Sequence, residues 1–323
     1  MNPIKGLVNT VRTGAQRTAD AVGTAVNKTA DAVGTAANAV KNTAVAGGRV
    51  VGQAVDAFEN KAASGARAVR GFFGGGHQPD RALDGHFVGA RGQTFPPGTA
   101  LRDIPGVNPV NNSNPNQTVL YVNGINTNKD TQFGSLQTIA DRTGAKVIGI
   151  HNATEGMGAD LAQCVKDKLD KGHNPAVDTL ADTLYTELKA GREVHLLAHS
   201  QGGLITSRAL NDVKNRLRIE DGMSTADAEK LMSNLKVETF GAAATRYTDG
   251  PQYVHYVNNA DPVPGLFGLG PSGVESTPLT HGGRGATVHH FTDAHLNPID
   301  SHNFDTTYMN QRVPFEDARA GRF

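Results

Sequence analysis

One stretch of the chain, VHLLAHSQGGLITSRAL at 194–210, constrains the fold more than any other. An apolar run typical of a buried strand is followed at once by a pattern typical of a helix. Only a tight turn joins a strand to a helix so closely, and Ser200 lies at that turn. Ala198 and Gly202 are small enough for the close chain approach that such a turn imposes. The sequence therefore predicts a strand–turn–helix unit that presents the Ser200 hydroxyl group.

Short apolar runs rich in β-branched residues alternate with helical patterns on both sides of this unit. Strands are predicted at 118–124, 146–150, 193–200, 235–244, 252–259 and 286–293. Helices are predicted at 133–144, 158–172 and 175–191. This alternation predicts an α/β fold in which a mostly parallel sheet is flanked by helices.

The sequence Ala-His-Ser-Gln-Gly after an apolar strand resembles the nucleophile elbow of the α/β-hydrolase superfamily. Within the superfamily, the sequence resembles the lipase branch, which includes the phospholipase and lipase effectors that bacteria secrete. Ala198 stands where that motif usually has glycine. The resemblance implies that Ser200 is a catalytic nucleophile. The alternative is a serine that only caps the following helix.

In this superfamily an acid and then a histidine follow the serine along the chain, on loops after later strands. The resemblance implies that Asp261, in the sequence Asn-Ala-Asp-Pro-Val-Pro, is the acid. It also implies that His302, after the last predicted strand, is the base. His295 is the rival histidine, and an Asp-Pro turn held for local reasons is the alternative for Asp261.

The sequence Tyr-Val-Asn-Gly-Ile at 121–125 resembles the oxyanion turn of lipases, with Asn123 in the place of the usual histidine. The implied donors to a developing oxyanion are the backbone N–H groups of Ile125 and Gln201. An ordinary Asn-Gly turn is the alternative. The implied chemistry is attack of Ser200 on an ester carbonyl with His302 as the base, which calls for no metal ion or organic cofactor.

The N-terminal segment 1–70 is rich in alanine, glycine, threonine and valine and contains an 11-residue repeat, TADAVGTAVNK at 18–28 and TADAVGTAANA at 29–39. Eleven residues make three helical turns, so equivalent positions share one face. The repeat resembles those of synuclein-type lipid-binding segments. This implies an amphipathic arm that becomes ordered on a lipid or membrane surface. The alternatives are packing on protein and disorder.

Two further segments complete the predicted organisation. Residues 71–117 are rich in glycine, proline and asparagine and are predicted to be a linker, which leaves 118–323 as the catalytic domain. The loop PVPGLFGLGPSG at 262–273 directly follows Asp261. Its Leu266, Phe267 and Leu269 are predicted to line the substrate-binding mouth, and the alternative is a surface connector anchored by a few apolar residues. Together with the arm, this loop favours lipid-like esters, phospholipids above all, as substrates. The alternatives are a non-lipid serine hydrolase (thioesterase, polyester depolymerase or peptidase) and a non-catalytic membrane- or partner-binding protein.

Charge and composition bear on partners and location. Residues 1–76 carry nine Lys or Arg and four acidic residues, a net charge of +5, and the rest of the chain carries −5. The positive charge is too sparse, and too poor in aromatic residues, for nucleic-acid binding. Cys164 is the only cysteine, and neither a signal peptide nor a transmembrane segment is predicted. The resemblance to injected phospholipase toxins implies synthesis in the cytoplasm, export by a specialised secretion system and action at membranes, with a neutralising immunity protein or a secretion adaptor as partner.

Overall fold

The computed structural model describes residues 81–125, 127–153, 174–270, 280–295 and 298–323. The predicted arm at 1–70, the first part of the predicted linker and the predicted helix at 158–172 lie outside these ranges. None of the helices described is long and apolar enough to cross a bilayer.

Within the described ranges, eight strands form a single mixed sheet. They are β1 (Phe87–Val88), β2 (Thr94–Phe95), β3 (Thr118–Val122), β4 (Lys146–Ile150), β5 (Val194–His199), β6 (Leu235–Phe240), β7 (Gln252–Asn258) and β8 (Thr287–Phe291). Their order across the sheet is β2-β1-β4-β3-β5-β6-β7-β8. The six strands from β3 to β8 are parallel, whereas β1 and β2 pair antiparallel at one edge. The predicted mostly parallel sheet is confirmed.

Helices cover both faces of this sheet. The α-helices are α1 (Lys129–Thr143), α2 (Pro175–Lys189), α3 (Gln201–Ile219), α4 (Thr225–Met232), α5 (Pro262–Phe267), α6 (Pro298–Ser301), α7 (Met309–Gln311) and α8 (Phe315–Arg319). Short 3₁₀ helices lie at Arg81–Leu83, Ala90–Gly92 and Leu101–Asp103, and a π-helical turn lies at Phe304–Tyr308.

Side chains alternate between two hydrophobic cores, because successive residues of a strand point to opposite faces. Leu120 and Leu196 belong to the core covered by α2, α3 and α4. Val119 and Leu197 belong to the core covered by α1, the π-helical turn and α8. Both faces are buried, which is why the central strands read as nearly continuous apolar runs.

The segment 81–117 differs from the predicted linker because much of it packs against the sheet. Phe87 and Val88 are fully buried in β1, which pairs with β4, and Phe87 lies opposite Ile150. Ile104 and Val107 are also buried. These apolar residues are isolated among glycine, proline and asparagine, so no periodic pattern marks them in the sequence. The packed α/β unit therefore begins before residue 118.

Truncation of the Phe87 side chain tests this placement. We expect Phe87→Ala to lower the free energy of unfolding by about 3–5 kcal/mol, since it removes a fully buried aromatic ring from the core. Urea denaturation of the full-length protein measures the change. Val110→Ala, at a side chain that is 84% exposed, is the control and is expected to change stability by less than about 0.5 kcal/mol. Equal effects of the two variants would show that residue 87 is not part of the core.

Candidate active site

The strand order reverses direction at β3, and in open α/β sheets such a reversal marks a crevice at the carboxyl ends of the strands. From β3 the chain crosses to β4 on one side and then returns to β5 on the other side of β3. Such a reversal leaves the loops after β3 and β5 diverging from each other, and ligands of open α/β sheets bind there. Asn123 follows β3 and Ser200 follows β5, so both lie at this crevice.

The turn at Ser200 has a backbone conformation that is rare for a residue with a side chain. Its φ is 56° and its ψ is −123°, between the end of β5 and the start of α3. Strain of this kind is found at functional sites, where the surrounding structure enforces it. The side chain projects from the turn instead of packing along the helix.

Glycine at 202 allows the turn to form, through a contact that the sequence did not indicate. A Cβ atom at position 202 would lie 2.3 Å from the carbonyl oxygen of Val122 at the end of β3. The three atoms nearest to this position are backbone atoms of Val122 and Asn123. The first turn of α3 therefore rests directly on the main chain after β3.

Ser200, His302 and Asp261 form a hydrogen-bonded series. The Nε2 atom of His302 lies 2.9 Å from the Ser200 Oγ atom, and its Nδ1 atom lies 2.6 Å from Asp261 Oδ2. All three side chains are buried, with 3%, 6% and 1% exposure for the serine, histidine and aspartate. Because a carboxylate only accepts, Nδ1 carries the proton and the bare Nε2 accepts from the serine hydroxyl. The arrangement can withdraw a proton from Ser200.

The same contacts bear on the two non-catalytic alternatives. Ser200 immediately precedes α3, but its side chain makes no capping hydrogen bond. Asp261 does cap α5, because its Oδ1 atom accepts from the backbone N–H of Val263 at 2.9 Å. Its other oxygen remains for His302. The aspartate thus combines a local role with a contact across 41 residues of sequence.

Tyr308 is a member of the site that the sequence analysis missed. Its hydroxyl donates to Asp261 Oδ2 at 2.6 Å, the same oxygen that His302 contacts. Burial and the nearby Asp261 charge raise the pKa of Tyr308 well above its usual value, so the donor proton is retained. In the sequence Tyr308 looks like any core aromatic residue near Phe304 and Met309. Only the fold reveals that its hydroxyl reaches the carboxylate.

His199 lies against the other side of His302. Its Nε2–H donates to the His302 carbonyl oxygen at 2.9 Å, and the two rings are 4.6 Å apart between centroids. Burial, followed by the charge of His302, lowers the pKa of His199 well below its usual value. His199 is therefore neutral near pH 7 and adds no positive charge beside His302.

The loop after β3 passes directly over Ser200. A Cβ atom at Gly124 would lie 2.8 Å from Ser200 Cβ and 3.3 Å from its Oγ atom. Ile125, the next residue, is largely buried, and Gln201 is the first residue of α3. Of the two residues predicted to supply oxyanion donors, Gln201 follows Ser200 directly in the chain, and Ile125 follows the glycine that lies against Ser200.

The rival histidine has other partners, and one residue predicted to line the substrate-binding mouth is buried in the core. His295 contacts Asp293 at 3.2 Å and Thr307 at 3.3 Å, so its partners differ from those of His302. Leu269 is buried in the core covered by α2, α3 and α4. The prediction that it lines the mouth does not fit this position.

The neighbouring residues explain the burial of Leu269. After α5 the chain folds back, and a Cβ atom at Gly268 would lie 2.2 Å from the Ala242 carbonyl oxygen. Phe267 is buried with Leu269, whereas Leu266 is partly exposed. Of the three apolar residues predicted at the mouth, Leu266 keeps surface for a ligand. The end of that loop, 271–273, lies outside the described residues.

Two cavities of about 590 and 470 Å³ lie at the amino ends of the central parallel strands, on the far side of the sheet from Ser200. Thr118 and Val194, at the amino ends of β3 and β5, line both. The Ser200 crevice is at the carboxyl ends, so neither cavity serves it. Within the described ranges, no cluster of three or more His, Cys, Asp or Glu side chains is arranged to hold a metal ion.

Comparison of the chain with protein-family models, with curated proteins and with solved structures finds no match.

The Tyr308 contact gives a stability prediction. We expect Tyr308→Phe to lower the free energy of unfolding by roughly 1.5–3 kcal/mol at pH 7, because a buried carboxylate loses a donor. Tyr256→Phe is the matched control, since the Tyr256 hydroxyl only accepts a long 3.4 Å bond from the Val313 N–H. Its loss should be below about 1 kcal/mol. Chemical denaturation compares the two variants, and equal losses would contradict a strong Tyr308–Asp261 bond.

Proposed function

We propose that this protein is a serine hydrolase of the α/β-hydrolase type that cleaves carboxylic esters. The observation that carries the proposal is the buried series of Ser200, His302 and Asp261, with contacts of 2.9 and 2.6 Å. Three further features support it: the strained turn at Ser200, the crevice at the strand reversal, and the order of serine, acid and histidine along the chain.

The mechanism follows from the positions of the protons. His302 Nε2 takes the hydroxyl proton while Ser200 Oγ bonds to the ester carbonyl carbon. Asp261 holds the imidazole orientation and stabilises its charged form. The carbonyl oxygen becomes an oxyanion, which the backbone N–H groups of Ile125 and Gln201 would stabilise.

The reaction is then completed in two stages, formation of an acyl-enzyme and its hydrolysis. The ester C–O bond breaks, the alcohol leaves with the proton from His302, and an acyl group stays on Ser200. Water then attacks the acyl carbon and gives its proton to His302, and the acid departs as the proton returns to Ser200. The two half-reactions consume one ester and one water and regenerate the enzyme.

We further infer that the esters are lipid-like. The support is the repeat and the +5 charge in the sequence of the N-terminal segment, together with the partly exposed Leu266 beside the Asp261 loop. A basic amphipathic segment favours an anionic membrane surface, which would bring the crevice to its substrate. Export as an effector and neutralisation by an immunity protein belong to the same hypothesis.

A fluorophosphonate probe tests the nucleophile. We expect one covalent adduct per chain, mapped by peptide mass spectrometry to Ser200, because the probe reacts with a serine whose proton a histidine can accept. His302→Ala should abolish labelling. Ser207→Ala is the matched control. Ser207 lies on α3, the helix that follows Ser200, and its hydroxyl donates to the Arg246 carbonyl oxygen. An intact wild type that stays unlabelled would leave a binding role as the alternative.

Vesicles test the substrate class. We expect the wild type to release fatty acid from anionic phospholipid vesicles and Ser200→Ala to release none, with products identified by mass spectrometry. Activity on short-chain 4-nitrophenyl esters in the same samples reports whether the enzyme is competent. Hydrolysis of the short ester without any release from vesicles would refute the lipid hypothesis and favour a thioesterase, polyester depolymerase or peptidase.

A further inference from the structure

The two residues proposed to donate to the oxyanion come from separate parts of the chain. Ile125 follows β3, whereas Gln201 begins α3 after β5. The ladder between β3 and β5 ends with Val122 opposite Ala198, before either donor is reached. Beyond the strand ends Gly202 packs on Val122 and Gly124 packs on Ser200, and hydrogen bonds between the loops can fix the separation of the two N–H groups further.

Asn152, in the loop after β4, makes contacts with both loops. Its side-chain Nδ2 group donates to Gln201 Oε1 at 2.8 Å and, more weakly, to the Asn123 carbonyl oxygen at 3.4 Å. Its backbone N–H donates to Asn123 Oδ1 at 2.8 Å. Because β4 is not adjacent to β5, the Asn152 side chain reaches across the end of β3.

Asn123 donates hydrogen bonds both to Asn152 and to the predicted oxyanion turn. Its Nδ2 group donates to the Asn152 carbonyl oxygen at 2.9 Å and to the Gly124 carbonyl oxygen at 2.8 Å. The peptide that joins Gly124 to Ile125 bears this carbonyl at one end and the Ile125 N–H at the other. Its orientation is therefore set by a bond from Asn123.

These amides are all buried. Asn123, Asn152 and Gln201 are 0%, 1% and 4% exposed. Buried polar groups that satisfy one another give a rigid, specific arrangement, whereas partly satisfied ones are costly. A rigid pair of donors is what stabilisation of a developing oxyanion needs, since donors already in place do not reorganise during the reaction.

We propose that Asn152 is a positioning residue that holds the two oxyanion donors, the N–H groups of Ile125 and Gln201, at their working separation. This role rests on the proposed hydrolase function and deepens it. Asn152 acts through Asn123 and Gln201 and is not itself required to touch the substrate. It also explains why asparagine serves at position 123, where lipases have histidine: its amide links the oxyanion turn to Asn152.

The loop that carries Asn152 has other anchors, so the side chain can be removed without releasing the loop. His151 N–H donates to the His86 carbonyl oxygen, and the His151 carbonyl oxygen accepts from Gly85, both at 2.8 Å. Ala153 N–H donates to Asp84 Oδ1 at 3.1 Å. We therefore expect Asn152→Ala to fold, with a lowered but measurable stability.

The test separates transition-state stabilisation from substrate binding. For Asn152→Ala on 4-nitrophenyl butyrate we expect kcat to fall roughly 10- to 100-fold with KM within about twofold. This is less than the ~10²–10³-fold cost of deleting a donor outright, because both N–H groups remain. Phenylboronic acid, whose boron bonds to Ser200 Oγ to form a tetrahedral anion, should bind more weakly by the same factor as kcat.

A second variant removes the other partner of the hydrogen bond between Asn152 and Gln201. Gln201→Met removes the acceptor of the Asn152 side chain but keeps the backbone N–H and nearly the same volume. We expect it to lower kcat and boronate affinity together, and the double variant to lose little more than either single one, since contacting residues are not additive. Ser207→Ala, on the same helix, is the matched control and should retain wild-type kcat and boronate affinity.

The outcomes are distinct. A wild type that hydrolyses ester, beside a folded Asn152→Ala with unchanged kcat and boronate affinity, would overturn this inference alone. A change in KM without a change in kcat would do the same. If Asn152→Ala does not fold, Gln201→Met decides: parallel losses support the inference, and wild-type behaviour overturns it. A wild type that neither labels with fluorophosphonate nor hydrolyses any ester would overturn the proposed function and this inference together.

Discussion

The site depends on the close approach of α3 to the end of β3. At Gly202 the helix backbone is so near the Val122 carbonyl oxygen that a Cβ atom would lie 2.3 Å from it. Because α3 begins this close to the sheet, Ser200 alone connects β5 to α3, and it does so with a positive φ. The cost of that backbone conformation, of order 1–3 kcal/mol, is offset by the packing of the two elements. Without the approach, the serine would be an ordinary residue at a helix start.

The parallel sheet then brings distant residues together. Ser200, Asp261 and His302 follow β5, β7 and β8, and the carboxyl ends of parallel strands share one edge. Each residue is buried, so each polar atom needs a partner. Asp261 divides its two oxygens among Val263, His302 and Tyr308, and His199 secures the main chain of His302. The proposed catalytic groups are held by contacts that individually look structural.

The sequence revealed features that depend on local pattern. The strands and helices around Ser200 follow from periodicity, whereas the resemblance to the α/β-hydrolase superfamily singles out Ser200, Asp261 and His302. The measured distances show that the three side chains meet. Their catalytic roles are a prediction. The features it could not reveal depend on contacts distant in sequence. Phe87 joins the sheet from a glycine- and proline-rich segment. Leu269 is buried in the core although its loop, 262–273, has the sequence of an exposed loop.

Hydrogen bonds between side chains that are distant in the sequence could not be predicted either. Asn152 and Tyr308 belong to residue types that occur in any loop or core, and nothing in their neighbours marks them. Their importance appears only when β4 is placed beside β3 and when the chain after His302 is packed under Asp261. Residues that position other residues lack a local signature, because their role is defined by what the fold brings to them.

The hydrogen bond between His302 and Asp261 is tested most directly by the proton NMR spectrum of the protein labelled with ¹⁵N-histidine. A 2.6 Å bond between the His302 Nδ1–H and Asp261, buried from solvent, should give a resonance far downfield of the amide region. The signal should persist in Ser200→Ala and vanish in Asp261→Asn and in His302→Gln. A folded wild type without such a resonance, or one that keeps it after Asp261→Asn, would contradict the account.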